Sequence, residues 1–200
     1  RVELVPEIRA FVQEMADRHG FDRAALEKAF RETKRLDSII RAMDAPATAL
    51  PWHEFRQRHI TDARIKAGLQ FWTEHQALLE KASAEFRVPP ELIVATIGVE
   101  TIFGRRTGTI SVLDALTTLA FYYPRRAEFF RNELEQFLLL ARENGIPLNS
   151  LKGSFAGAIG VPQFMPGSYR KYAVDFDGDG VRDLRRVADS IGSVANCISS

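Results

Sequence analysis

Between Leu92 and Gly104 the chain carries a single ionisable side chain, Glu100. At helical spacing Ile93, Ile97 and Gly104 fall on its face, while Val99 and Phe103 flank it. A carboxyl in such surroundings loses hydration, which disfavours the charged form and raises its pKa. That is the property required of a general acid working near neutral pH. Gly98, beside it, would let a polymer approach the backbone closely. The same residues allow a plainer reading, a glutamate in a last helical turn that points to water or pairs with Arg105 or Arg106.

A second cluster offers hard oxygen ligands. Asp175, Asp177 and Asp179 stand at the first, third and fifth positions of an EF-hand-like loop, with Gly180 at the turn. The Val181 carbonyl would supply the seventh-position ligand. The twelfth position is Arg186 instead of glutamate, where the match fails; Asp189, at the fifteenth, would close the set if the loop is longer than usual. The expectation is a structural Ca²⁺ site; the alternative is an Asp/Gly turn without an ion. His19, His53, His59 and His75 lack metal-ligand spacing, and no serine elbow or phosphate loop is present.

The elements that must position these groups read as helices nearly throughout. Val5, Ile8, Val12 and Met15 form a stripe ending at Gly20, and Asp22 can cap a second helix with Leu26, Ala29 and Phe30 inward. After a turn-rich stretch with Pro46 and Pro51, one long helix is predicted from Thr61, with Ile65, Leu69, Trp72, Leu79, Ala82 and Phe86 inward. Pro89-Pro90 opens the helix of Glu100, which closes at Gly104. Ser111 and Asp114 suggest a capping box for a helix running to Tyr123 and stopped by Pro124. A helix over 125–143 ends at Gly145, a Gly/Pro-rich loop or short-strand segment covers 153–167, and a last helix spans Val187–Asn196. The expected boundary is the diproline, giving an N-terminal helical domain over 1–86 and a C-terminal part over 87–200 that carries the chemistry.

Composition narrows the classes. The 200 residues are 46% hydrophobic and 26% charged, as in globular proteins, and 27 Lys+Arg against 26 Asp+Glu leave no field for nucleic acid. Cys197 is the only cysteine, so an intrachain disulfide is excluded. No apolar run approaches the roughly 20 residues of a spanning helix, and the residues from Arg1 do not look like a signal peptide.

Several ordered motifs carry a resemblance. They are Gly98-Val99-Glu100-Thr101 with Phe103-Gly104, Ser111–Leu119, Tyr123-Pro124-Arg125-Arg126-Ala127-Glu128, and Leu151–Ala158 continuing to Gln163-Phe164-Met165-Pro166. Together they resemble the membrane-bound lytic murein transglycosylase B family, over roughly residues 50–196. The resemblance implies a mainly α fold, a lysozyme-like helical core with a small β/loop element and the EF-hand-like calcium loop. It implies cleavage of the β-1,4 bond between N-acetylmuramic acid and N-acetylglucosamine in peptidoglycan, without water, leaving 1,6-anhydromuramic acid ends. Glu100 would act as acid and then base, which removes the need for the second carboxyl of ordinary glycosidases. Ser154 and Gln163 would line the groove, and Phe164 would form an apolar wall. Phe55 stands near Trp52 where a tyrosine is usual.

Arg125 and Arg126 sit at a helix start, against the dipole, which suggests a task in binding lactyl or stem-peptide carboxylates; the alternative is a solvated helix end. The further expectations are Ca²⁺ as the only cofactor, peptidoglycan strands as partner, a monomer, no nucleic acid, and a periplasmic location. Membrane attachment would come through an outer-membrane lipid anchor outside this chain. Cys197 replaces an expected tyrosine, and the family continues beyond Ser200, so a truncated, weakly active chain is one expectation. A hydrolytic muramidase and an inactive peptidoglycan-binding module are the alternatives.

Overall fold

The computed structural model describes residues 4–45 and 50–200. Arg1, Val2 and Glu3 of the N-terminal stretch, and Pro46 of the turn-rich one, lie outside the described residues. The chain is mainly α-helical, as expected, and forms two compact units. The first takes the described residues of Arg1–Ala45 with Thr109–Ala158 and Met165–Gly167; the second takes those of Pro46–Gly108 with Ile159–Phe164 and Ser168–Ser200. These units do not follow a cut between residues 86 and 87.

In the first unit, α1 (Pro6–His19) stops at Gly20 in the left-handed conformation, φ +69°. Its stripe of Ile8, Val12 and Met15 is fully buried. Asp22 caps α2 (Arg23–Glu32) by accepting the Ala25 N–H at 3.2 Å. Next comes α3 (Asp37–Asp44), which packs on the later α8 (Val112–Tyr122). Ser111 accepts the Asp114 N–H at 3.3 Å, but the Asp114 carboxylate takes the Lys34 N–H at 3.2 Å, so only half of the expected box forms. A single turn of 3₁₀ helix, Pro124–Arg126, leads into α9 (Ala127–Glu143), which lies along α8. A two-stranded antiparallel sheet pairs β1 (Ile110–Ser111) with β2 (Lys152–Gly153).

The second unit holds α4 (Trp52–His59), α5 (Asp62–Glu74), α6 (Gln76–Phe86), α7 (Pro90–Thr101) and α11 (Val187–Ser199), with most of α10 (Pro166–Tyr172). Thr61, the predicted start of a helix, caps α5 by accepting the Arg64 N–H at 3.2 Å. The single long helix predicted from Thr61 is instead broken at His75, φ −118° and ψ 23°. The break resets the helical phase. Ile65 and Leu69, expected inward, are 51% and 63% exposed, while Gly68 and Phe71 face the core. Beyond the break Leu79 and Ala82 are fully buried, as expected. Pro89-Pro90 does open α7, but that helix packs back on α5, α6 and α11. Leu79, Ile93, Ile97, Ile191 and Val194 share one apolar cluster. Each such side chain contributes about 1.5–3 kcal/mol by burial, so the diproline starts an element and ends no domain.

Candidate active site

The buried arc of α7 is Ile93, Val94, Ile97 and Thr101, and at about 100° per residue Glu100 falls on its edge. Glu100 is therefore exposed on the helix surface. Its carboxyl still loses enough hydration to the neighbouring protein that its pKa is raised. Among the described residues nothing donates to it or pairs with it, and Arg105 and Arg106 do not. The expectation of a water-scarce site is corrected to that extent. The acid form is favoured by partial desolvation at an accessible position.

The end of α7 is held by its neighbour. Thr101 is fully buried, and its hydroxyl donates to the Val161 carbonyl at 2.7 Å and accepts the Gly104 N–H at 3.0 Å. The chain then turns through Ile102 and Phe103, both left-handed at φ +51° and +58°, before Gly104 at +84°. Two successive side chains in this region are strained, the more so because Ile102 is β-branched. The turn folds the Phe103 ring back over α7. A methyl added at Gly98 would sit 2.7 Å from its tip, and one at Gly68 would sit 3.0 Å away. Gly98 thus makes room for Phe103, not for an approaching polymer. This corrects the sequence reading.

The segment 159–164 is the other half of this frame. Ile159 and Phe164 exchange backbone hydrogen bonds at 2.8 and 3.1 Å, and the Val161 N–H reaches the Leu184 carbonyl at 2.9 Å. Gln163 is left-handed, φ +53°, and its amide nitrogen donates to the carbonyls of Gly160 and Thr107 at 2.8 and 3.0 Å. With that nitrogen committed, the amide oxygen is what remains to accept a hydrogen bond. Phe164 is half-buried against the apolar cluster that includes Ile97. Glu100, Gln163 and Phe164 therefore stand on connected elements of one unit. Phe55 lies in the same unit on α4, stacked between His59 at 4.1 Å and Trp52 at 5.8 Å, with Trp52 68% exposed.

Ser154, Arg125 and Arg126 belong to the first unit. The Ser154 oxygen accepts the N–H groups of Ala158 and Ala156 at 3.0 and 3.3 Å, which leaves its own proton to donate. Arg125 lies 3.6 Å from the Asp44 carboxylate, and the Arg126 guanidinium sits 4.2 Å above the Phe129 ring. Both arginines are exposed.

In the aspartate loop the carboxylates of Asp175, Asp177, Asp179 and Asp189 each present an oxygen within 4.8 Å of the others. Asp189 is fully buried and accepts the N–H groups of Phe176 and Asp183, both at 2.8 Å. The Gly180 N–H holds Asp175 below the usual carboxylate range. Lost hydration and the neighbouring carboxylates hold Asp177 above it. Arg186, where an EF-hand has its glutamate, reaches Asp179 at 3.1 Å. Val181 donates its N–H to Asp179 at 2.9 Å, which holds the seventh position of the loop in place.

Comparison with known proteins decides the family. A model described as "Transglycosylase SLT domain" matches residues 4–200. The chain belongs to the transglycosylase SLT domain family. It is 50% identical to the membrane-bound lytic murein transglycosylase B of Escherichia coli (strain K12) over 202 residues, covering 96% of this chain and 56% of that protein. Among solved structures it is similar to the soluble lytic transglycosylase SltB1 of Pseudomonas aeruginosa, with 50% identity, TM-score 0.95, and coverage of 97% of this chain and 66% of that one. It is also similar to the Escherichia coli lytic transglycosylase SLT35 in complex with calcium, with 48% identity, TM-score 0.93, and coverage of 97% and 62%. The chain thus spans just over half to about two thirds of the length of these relatives. The mainly helical fold is that of lytic transglycosylase structures.

Within this SLT domain the parts played by two groups, Thr101 of the glutamate motif and Glu133, were not read from the sequence. Thr101 reads as an ordinary threonine until its bond to Val161 is seen. Glu133 on α9 is a half-buried carboxyl whose pKa burial raises, offset in part by the Gly167 N–H at 2.8 Å. The charges around it in sequence conceal that burial. No helix among the described residues is long and apolar enough to cross a membrane.

Proposed function

We propose that this SLT domain is a peptidoglycan lytic transglycosylase with Glu100 as its catalytic residue. Glu100 gives its proton to the glycosidic oxygen as the bond to C1 of N-acetylmuramic acid breaks. The sugar's N-acetyl oxygen stabilises the cationic C1. The resulting carboxylate takes the proton of the C6 hydroxyl, whose oxygen closes on C1 as a 1,6-anhydro ring. Protons balance, and no water enters. The observation that carries this reading is an accessible carboxyl with a raised pKa and no partner among the described residues, in the Gly98–Thr101 run that resembles the glutamate motif of such enzymes. Gln163 would accept a sugar N–H or O–H, Ser154 would donate one, and Phe164 and Phe55 would offer apolar surface to the rings. Arg125 and Arg126 would meet the carboxylates of lactyl groups or stem peptides.

The aspartate loop fits a structural Ca²⁺, with Asp175, Asp177, Asp179, the Val181 carbonyl and Asp189 as ligands; the calcium complex of SLT35 supports this. The work belongs to the periplasm, where peptidoglycan lies, and is done by a monomer. The Escherichia coli relative is named as membrane-bound, which supports a membrane attachment; an outer-membrane lipid anchor is the form of attachment proposed.

Digestion of purified peptidoglycan followed by mass analysis tests the proposal. Anhydro ends lighter by one water are expected, and Glu100→Gln should cut release by about 10²-fold or more while strand binding persists. Hydrolytic ends, or undiminished release by the variant, would overturn it.

A further inference from the structure

A cleft of about 420 Å³ opens in the first unit between α2, the start of α8 and residues 148–152. Sites for small ligands commonly have such volumes. Lys28 and Glu32 of α2, Asp114 of α8 and Lys152 of β2 line it, together with the apolar side chains of Ala25 and Leu113. Among the described residues none of these four charged side chains forms an ion pair. The contrast along α2 is informative. Arg23 and Glu27, spaced by four in the same cation-then-anion order as Lys28 and Glu32, close at 3.1 Å, and Arg31 joins Glu27 at 3.5 Å. On the face toward the cleft the equivalent pair stays open. Asp114 spends one oxygen on the Lys34 N–H and keeps the other.

Two cations and two carboxylates without ionic partners among the described residues disfavour a simple anion, which would meet Glu32 and Asp114, and a simple cation, which would meet the lysines. A ligand carrying both signs satisfies all four. We propose that this cleft binds a short peptide bearing both carboxylate and ammonium groups. Resting on the function proposed above, its source is the stem peptide of peptidoglycan. The groups sit at an open cleft, so affinity is expected on the order of a millimolar or somewhat tighter, and falls with added salt.

The test is an NMR titration of the ¹⁵N-labelled chain with the free tetrapeptide L-Ala-γ-D-Glu-meso-diaminopimelate-D-Ala. Saturable shifts are expected at the amides of Lys28, Glu32, Asp114 and Lys152. The double substitution Lys28→Glu with Lys152→Glu changes two exposed side chains, so it should keep the dispersed spectrum and weaken binding at least about tenfold. No shift in the cleft up to about 10 mM peptide, a range set by the expected weak affinity, would overturn the proposal. So would equal affinity of the double variant. An all-L peptide of equal charge that binds as tightly would overturn the stem-peptide source. Anhydro-product release by the same preparation reads the enzymatic proposal separately. Release without peptide binding removes only the cleft, whereas binding without release removes only the enzyme.

Discussion

Glu100 has a pKa raised by lost hydration, so the folded chain holds that proton more tightly than the unfolded chain does. The stability this contributes is complete below the ordinary glutamate value of about 4.3 and is lost as pH rises through the raised value. Glu100→Gln should therefore melt at a higher temperature than the parent at neutral pH, with the gap closing in acid. Glu133 shifts in the same direction but is common to both proteins, so the difference isolates Glu100. Product release should decline on the alkaline side over the same pH interval, because the proton needed for bond cleavage has left. A second expectation concerns Gly98. Alanine there would press on the Phe103 ring, at 2.7 Å, and should cost about 1–3 kcal/mol in denaturant unfolding. If the glycine served an approaching polymer instead, stability would be unchanged and substrate binding alone would suffer.

The element that matters most is the junction of α7 with residues 159–164. The Thr101 hydroxyl ties it by hydrogen bonds, joining Val161 and Gly104, beside the apolar packing of Val161 and Phe164. Thr101→Val keeps the shape but leaves the buried Val161 carbonyl and the Gly104 N–H without that partner. Unfolding measurements should show a loss of about 1–3 kcal/mol. Since Glu100 is the adjacent residue, turnover should fall further than peptidoglycan binding. Thr101→Ser, which keeps the hydroxyl, should restore most of both. The strained pair Ile102 and Phe103 belongs to the same junction, and its conformation is held by the Phe103 ring lodged beside Gly68 and Gly98.

At the scale of the whole molecule, the aspartate loop is packed into the second unit through Asp189 and through Phe176, which lies in the core cluster. A cation held there would stabilise the folded chain by mass action, about 2.7 kcal/mol at a hundredfold excess over its Kd. Melting of a chelator-treated sample should rise on adding Ca²⁺, and Asp177→Ala should abolish the rise. An unchanged melting curve, with no heat of binding by calorimetry, would remove the metal from the account. Arg186 already neutralises part of the loop through Asp179. Substituting it with alanine should therefore raise the affinity for Ca²⁺.

What the sequence determined by itself was local or motif-borne. The caps at Asp22 and Ser111, the helix starts at Thr61 and Pro90 and the stop at Gly20 act within one helical turn, so neighbouring residues suffice to read them. Glu100 stood out because it was the one charge in an apolar run. The tertiary structure decided the rest. Gly98 serves Phe103, α5 turns Phe71 inward where Ile65 and Leu69 were expected, and Gln163 spends its amide nitrogen on the carbonyls of Gly160 and Thr107. The expected domain cut also fails, because α7 packs on helices from both sides of it. The packing of α7 and the Gln163 bond to Thr107 depend on partners far away in the chain, and the return of Phe103 onto Gly98 depends on a turn that the Thr101 bond to Val161 holds. Periodicity carries no information about which ring or carbonyl will arrive.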